Sequence, residues 1–197
     1  MKKISRYGLG VICALLALAC SNTTTSERSS FTRADSLTEK YLNLQDSVYQ
    51  VWNLLLKQEH QKIQSMRTAV DQLMQSNQED FSALKKQLEQ LERIQYNHKT
   101  VSNNHVVFEY DQASGQLMHE ILTNLNSQLS PPVTNNLRSS IRTTHQQILE
   151  YRQLYNQLAF TFNQFVEQHE NVLKEIDANS NLQRKPLFSE PAGREPN

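Results

Sequence analysis

Six histidines, two cysteines and twenty carboxylates are the side chains of this 197-residue chain whose types do chemistry, so their spacing is the first question. A metal centre needs several ligands converging on one point, which on a helix means spacings of three or four. His60, His98, His105, His119, His145 and His169 offer no such set, and His119 beside Glu120 is an adjacent pair that points two ways. His169 falls on an apolar stripe and is expected to pack there. Glu79 with Asp80, and Glu109 with Asp111, read as solvated cap or loop carboxylates. With four glycines in the whole chain there is no phosphate-cradling loop. Formal net charge is zero, which removes the electrostatic basis for nucleic-acid binding. The residue types therefore predict no catalytic centre, no metal and no cofactor.

One side chain retains a chemical prospect. Lys2, Lys3 and Arg6 precede an apolar run from Gly8 to Ala19 of about twelve residues, short of the roughly 20 that span a bilayer. Charged start, short apolar core and small terminal residues are the parts of a secretory signal. Ala19 stands directly before Cys20, with Ser21 and Asn22 after it, and this resembles the lipobox of bacterial lipoproteins. The resemblance implies cleavage before Cys20 and acylation of its thiol. Cys13 would leave with residues 1–19, so the exported chain would hold no disulfide. Each buried acyl methylene is worth about 0.8 kcal/mol, and more than one chain makes a stable anchor. Residues 20–31 then read as a lipidated, flexible tether, and the Pro- and Gly-bearing 178–197 as a disordered tail.

The elements that position anything further lie in 32–177. Leu137, Ile141, Thr144, Ile148, Tyr151, Tyr155, Leu158, Phe162, Phe165, His169, Val172 and Ile176 recur at fours and threes, predicting one long helix over about 134–176. Pro131 and Pro132 put its start near Thr134, a residue able to cap. Leu37, Tyr41, Leu44, Val48, Val51 and Leu55 keep the same rhythm, and Ile63, Met66, Val70 and Leu73 resume it after a polar gap at 58–62. A second long helix over about 35–75 follows, with local unwinding or a hydrated contact at the gap. Ser76 and Glu79 are spaced as a capping box for a shorter helix carrying Phe81, Leu84, Leu88, Leu91 and Ile94. Val106 to Tyr110 reads as an extended patch, before another short helix with Leu117, Ile121, Leu125 and Leu129. The fold class is all-α: an elongated antiparallel bundle with two long helices and two shorter ones between them.

Within the last helix, "YRQLYNQLAFTFNQF" carries Arg152, the pair Tyr155-Asn156 and, seven residues on, Phe162-Asn163. This resembles the signature of the LemA family, and "DSVYQVWNLL", with Val48, Val51 and Trp52, is similar to the family's early helix. The resemblance implies a divergent, lipoprotein-type member: a helical bundle on an N-terminal anchor, with no catalytic residue to carry over. Taken physically, the seven-residue repeat sets the two aromatics on one face and the two asparagines in a ladder beside it, placed to bond neighbouring helices and fix their register. Arg152 is expected to be held by Asn156 or to pair with Glu150 or a neighbour of Glu167. Phe162 and Phe165 belong to the core and Phe160 to the surface. The expected setting is the bacterial envelope, on the outer membrane or the periplasmic side of the inner one, with the membrane reached through Cys20 and an envelope protein as partner. A self-associating coiled-coil adaptor or chaperone-like lipoprotein is the alternative.

Overall fold

An apolar stripe sustained over forty residues must find a second one of similar length, and here the two long stripes face each other. The computed structural model describes residues 32–76, 80–176 and 182–188, and from Ala34 onward they belong to one compact unit. The described residues are all-α, with helices α1 (Arg33–Gln75), α2 (Ser82–Arg93), α3 (Asn104–Gln128) and α4 (Pro131–Ile176). At 1.5 Å per residue α1 and α4 are about 65 and 70 Å long. They run antiparallel: Ser65 meets Ser140 at 2.9 Å, the Trp52 and Tyr155 rings lie 5.5 Å apart, and so do Tyr41 and Phe162. α2 returns along α1 through the Arg67–Glu92 ion pair. α3 lies antiparallel to the N-terminal part of α4, from Thr134 to Arg152.

Burial of the stripe is most complete where α2 and α3 lie against the long pair, and beyond it α4 still buries Phe162, Phe165, Val166 and Leu173. Trp52, Leu55, Met66, Leu73, Ile121 and Ile141 are completely enclosed. Toward the other end of the α1–α4 pair, Leu37, Tyr41 and Leu44 are half-buried, while Val172 and Ile176 are exposed. Two helices alone have one shared face and no second layer to cover it.

Several local readings are corrected. The polar gap at 58–62 does not unwind or hydrate α1, which continues unbroken through it. Val106 to Tyr110 is helical: Asn103 caps α3, its side chain accepting from His105 N–H at 3.1 Å, so the helix begins before the apolar pair. α4 starts at Pro131, because proline is tolerated in a first turn whose N–H groups have no intrahelical acceptor. Thr134 is thus inside the helix, and its buried hydroxyl donates to the terminal carbonyls of α3 at Leu125 (2.9 Å) and Leu129 (3.3 Å). Ser76 closes α1 by donating to the Leu73 carbonyl, and Asp80 accepts from Ser82 N–H at the start of α2; Glu79 lies outside the described residues. So do the signal, Cys20 and the tether in 1–31. Of the tail expected to be disordered, Leu182 to Phe188 is docked on the bundle, and Phe188 is buried. Among the described residues no helix is long and apolar enough to cross a membrane.

Gly115 sits inside α3, where a Cβ would meet nothing within 4 Å. Gly115→Ala is therefore expected to stabilise the protein by about 0.5–1 kcal/mol, by removing conformational freedom from the unfolded chain. A thermal melt followed by circular dichroism checks it.

Candidate functional site

Glu59 follows Leu55 by four residues and precedes Ile63 by four, so it occupies the very stripe position that the apolar rhythm skips. A helix that keeps its pitch must carry this carboxylate into the core, and Glu59 has no exposed surface. Burial of an ion is tolerated only when it is paired and hydrogen-bonded. Four groups do this. Lys62 Nζ, one turn on, lies 2.7 Å from Oε2. Tyr96, from the α2–α3 connection, donates its hydroxyl to Oε1 at 2.7 Å, and Tyr110 of α3 donates to Oε2 at 2.8 Å. Arg152 of α4 reaches Oε1 at 3.2 Å.

Arg152 is itself on a stripe step, four after Ile148 and three before Tyr155. Its guanidinium forms a two-pronged pair with Asp111 of α3, at 2.6 and 2.7 Å, the geometry in which arginine binds carboxylate most strongly. The expected partners on its own helix are not used. Asp111, read from the sequence as solvated, is this pair's other half and lines the rim of the site. Two acids and two bases make the cluster neutral.

Burial alone would raise the Glu59 carboxyl, but the charges of Lys62 and Arg152 with the hydrogen bonds from Lys62 and Tyr96 outweigh it and hold the group below its ordinary range. Burial works against the Arg152 cation, and hydrogen bonding to Asp111 with the surrounding negative charge overcomes that, so it is held above its ordinary value. Burial and then the Glu59 charge push both Tyr96 and Tyr110 upward. Each of these four groups is driven away from neutrality in its ordinary charge state. A proton-transfer catalyst needs the opposite, a pKa near working pH.

The open side of this cluster is closed by the C-terminal segment. Asn163 and Lys185 exchange two hydrogen bonds: the Lys185 N–H donates to Oδ1 at 2.7 Å and Asn163 Nδ2 donates to the Lys185 carbonyl at 2.8 Å. Asn156 does the same with the backbone of Phe188, both at 2.8 Å. The amide orientations are set by the partners, since a backbone N–H only donates. Seven helical residues rise about 10.5 Å and three extended residues span about 10 Å, so the asparagine repeat on α4 matches extended chain at every third residue. Pro186 helps, because the residue before a proline is driven to extended backbone. The ladder thus binds a strand-like segment instead of a neighbouring helix.

The Phe188 side chain fills an aromatic box. Its ring stacks 6.1 Å from Trp52, meets Tyr96 and Tyr155 edge-on at 5.4 Å each, and lies 5.1 Å from the Arg152 guanidinium. Lys185 extends over the Tyr49 ring at 4.5 Å and reaches its hydroxyl at 3.2 Å, with Phe162 beneath at 5.2 Å. Burial, then the nearby Tyr49, pushes Tyr155 up to about 12. His98 stacks 4.1 Å from Trp52 and is held below its ordinary value by burial and then by the Lys185 charge.

Six of the motif residues chosen from sequence converge on this segment: Trp52, Arg152, Tyr155 and Asn156 around Phe188, Phe162 and Asn163 at Lys185. Val48 and Val51 are buried on α1 beside Trp52's position. Phe165 is buried and packs on half-buried His169 at 4.6 Å, and Phe160 is exposed. Sequence reasoning missed Glu59, Lys62, Tyr96, Tyr110, Asp111 and Phe188. The signal for Glu59 was present as a charged residue at the skipped stripe step.

Asn156→Ala removes two hydrogen bonds from the segment, each worth about 0.5–1.5 kcal/mol net. The Phe188 amide should then exchange its hydrogen faster, and with Lys185 withdrawn His98 should titrate closer to its ordinary 6.5. Proton NMR of the histidine ring against pH checks the second effect. Comparison with family models, with curated proteins and with solved structures finds no match.

Proposed function

We propose that this chain is a lipid-anchored helical interaction module of the bacterial envelope, of LemA type, that works by presenting surface to a protein partner and does no catalysis. The observation that carries the non-catalytic reading is the buried cluster: its acids and bases are paired with one another, with the Glu59 carboxyl held below its ordinary range and the Arg152 guanidinium above its own. Such a cluster fixes helices relative to each other. Support for the anchor is the stretch ending in Ala19-Cys20, and support for the family is the resemblance carried by "YRQLYNQLAFTFNQF" and "DSVYQVWNLL". Metabolic labelling with a palmitate analogue tests the anchor: label is expected on the wild type and lost in Cys20→Ala. Cross-linking in intact cells with mass spectrometry tests the partner, and reproducible absence of any envelope-protein adduct would sink the module reading.

A second reading is favoured by the partly covered end of the α1–α4 pair, where Leu37, Tyr41 and Leu44 stay half-buried and Val172 and Ile176 are exposed. A second copy laid on that end would make a self-associating adaptor. Light scattering decides it, since a strict monomer at high concentration removes this alternative.

A further inference from the structure

We propose that the groove filled by Lys185–Phe188 is a recognition site for an extended peptide of a partner protein, bearing a basic residue and, three residues on, a tyrosine. The chain's own segment occupies it in cis. This deepens the interaction-module reading and rests on it.

The recognition chemistry is on display in the cis segment. Asn156 and Asn163 read only backbone, one residue in three, so the sequence in between is unconstrained. Side chains are read at two places. Lys185 offers a cation to the Tyr49 ring and hydroxyl, and Phe188 offers a ring to the box of Trp52, Tyr96 and Tyr155. Backbone pairing for affinity, with pockets at fixed intervals for selectivity, is the way proteins take extended peptides.

A second observation separates the cis segment from the best occupant. The Trp52 indole N–H and the Arg152 Nε–H are buried without a hydrogen-bond partner, and both residues border the Phe188 ring. A phenylalanine has no acceptor to offer them. A ring of the same shape carrying a hydroxyl oxygen does, and a buried donor left unmet is what makes a site discriminate between tyrosine and phenylalanine. The cis segment therefore satisfies the backbone ladder and leaves these two neighbouring donors unmet. A partner with tyrosine in that place offsets part of the advantage that the tether gives the cis segment through proximity.

The test uses the full chain and the labelled peptide LQRKPLFSE, which is residues 182–190, together with its Phe188→Tyr and Phe188→Ala forms. Fluorescence anisotropy against the Phe188→Ala chain, in which the box is vacated, should show binding of the tyrosine peptide about tenfold tighter than the phenylalanine peptide, and none of the alanine peptide. Against the wild-type chain the tyrosine peptide should still bind, displacing Phe188 and changing the emission of Trp52, the single tryptophan. No binding of either aromatic peptide to the Phe188→Ala chain would overturn the site. Equal binding of the two would overturn the tyrosine preference. Concentration-dependent dimers of the wild-type chain that vanish in Phe188→Ala would assign the groove to a second copy's tail instead of a partner. Should Phe188→Ala fail to fold by circular dichroism, the wild-type titration followed by Trp52 emission decides alone. Because purified chain and synthetic peptide are used, failure here leaves the envelope cross-linking outcome standing.

Discussion

Glu59→Ala is expected to cost about 3–5 kcal/mol, because it leaves the Lys62 ammonium buried without its carboxylate and strips two tyrosine hydroxyls of their acceptor. A single domain is stable by only about 5–15 kcal/mol, so this is a large fraction of the whole. Urea denaturation followed by circular dichroism measures it. The companion Glu59→Leu with Lys62→Leu removes both charges and leaves the Arg152–Asp111 pair in place, so it should recover part of the loss. Acid gives an independent readout. The Glu59 carboxyl is held below its ordinary 4.5 when folded, so its contribution is complete above that value and is lost as the pH falls through the lower folded one. Stability of the wild type should therefore decline below about pH 4.5 more steeply than that of Glu59→Gln. An equal slope in both would mean that the cluster is not the acid-sensitive part of the fold.

The second large effect is at Trp52. The residue has no exposed surface and is ringed by Tyr96, His98, Tyr155 and Phe188, so Trp52→Ala opens a cavity at the meeting of α1, α4, the α2–α3 connection and the C-terminal segment. Aromatic-to-alanine changes in cores cost about 3–5 kcal/mol. Part of the cavity can be relieved by release of Phe188, which would show as rapid hydrogen exchange at its amide. Trp52→Phe should cost much less. It keeps a ring in the box and loses an indole N–H that has no partner. A loss in Trp52→Phe as large as in Trp52→Ala would mean that the indole nitrogen has a bond of consequence. Circular dichroism under urea is the measurement, since fluorescence disappears with the residue.

The helices were legible because each is written as a period: fours and threes from Ile141 to Phe165, and again from Val48 to Leu73, leave little choice of partner or direction. Helix starts were less so. Asn103 and Pro131 act through geometry within one turn, and an apolar pair such as Val106-Val107 reads as strand until the cap before it is noticed. The site was half legible. Tyr155-Asn156 and Phe162-Asn163 stand out as a repeat, with Arg152 before it, yet the repeat does not say what it binds, because a helical rise of seven residues suits a neighbouring helix and extended chain alike. The polar gap at 58–62 was read as a weak place in the seam, on the general rule that charge seeks water. Glu59 breaks that rule only because partners arrive from three other stretches of chain, and no local pattern announces them. Phe188 was hidden for a related reason: a short segment with proline reads as unstructured until something on the fold is shaped to receive it.

That last feature has a consequence in time. The box for Phe188 draws one wall from residue 52, one from residue 96 and one from residue 155, so it does not exist until stretches about a hundred residues apart in the chain have met. Contacts that distant carry a loop-closure cost that must be met before they form. During synthesis the segment also emerges after every wall it needs, since residues 52, 96 and 155 all precede it. Docking of Phe188 thus requires that α1, α4 and the α2–α3 connection have already met, and a chain with Phe188 in its box reports that they have.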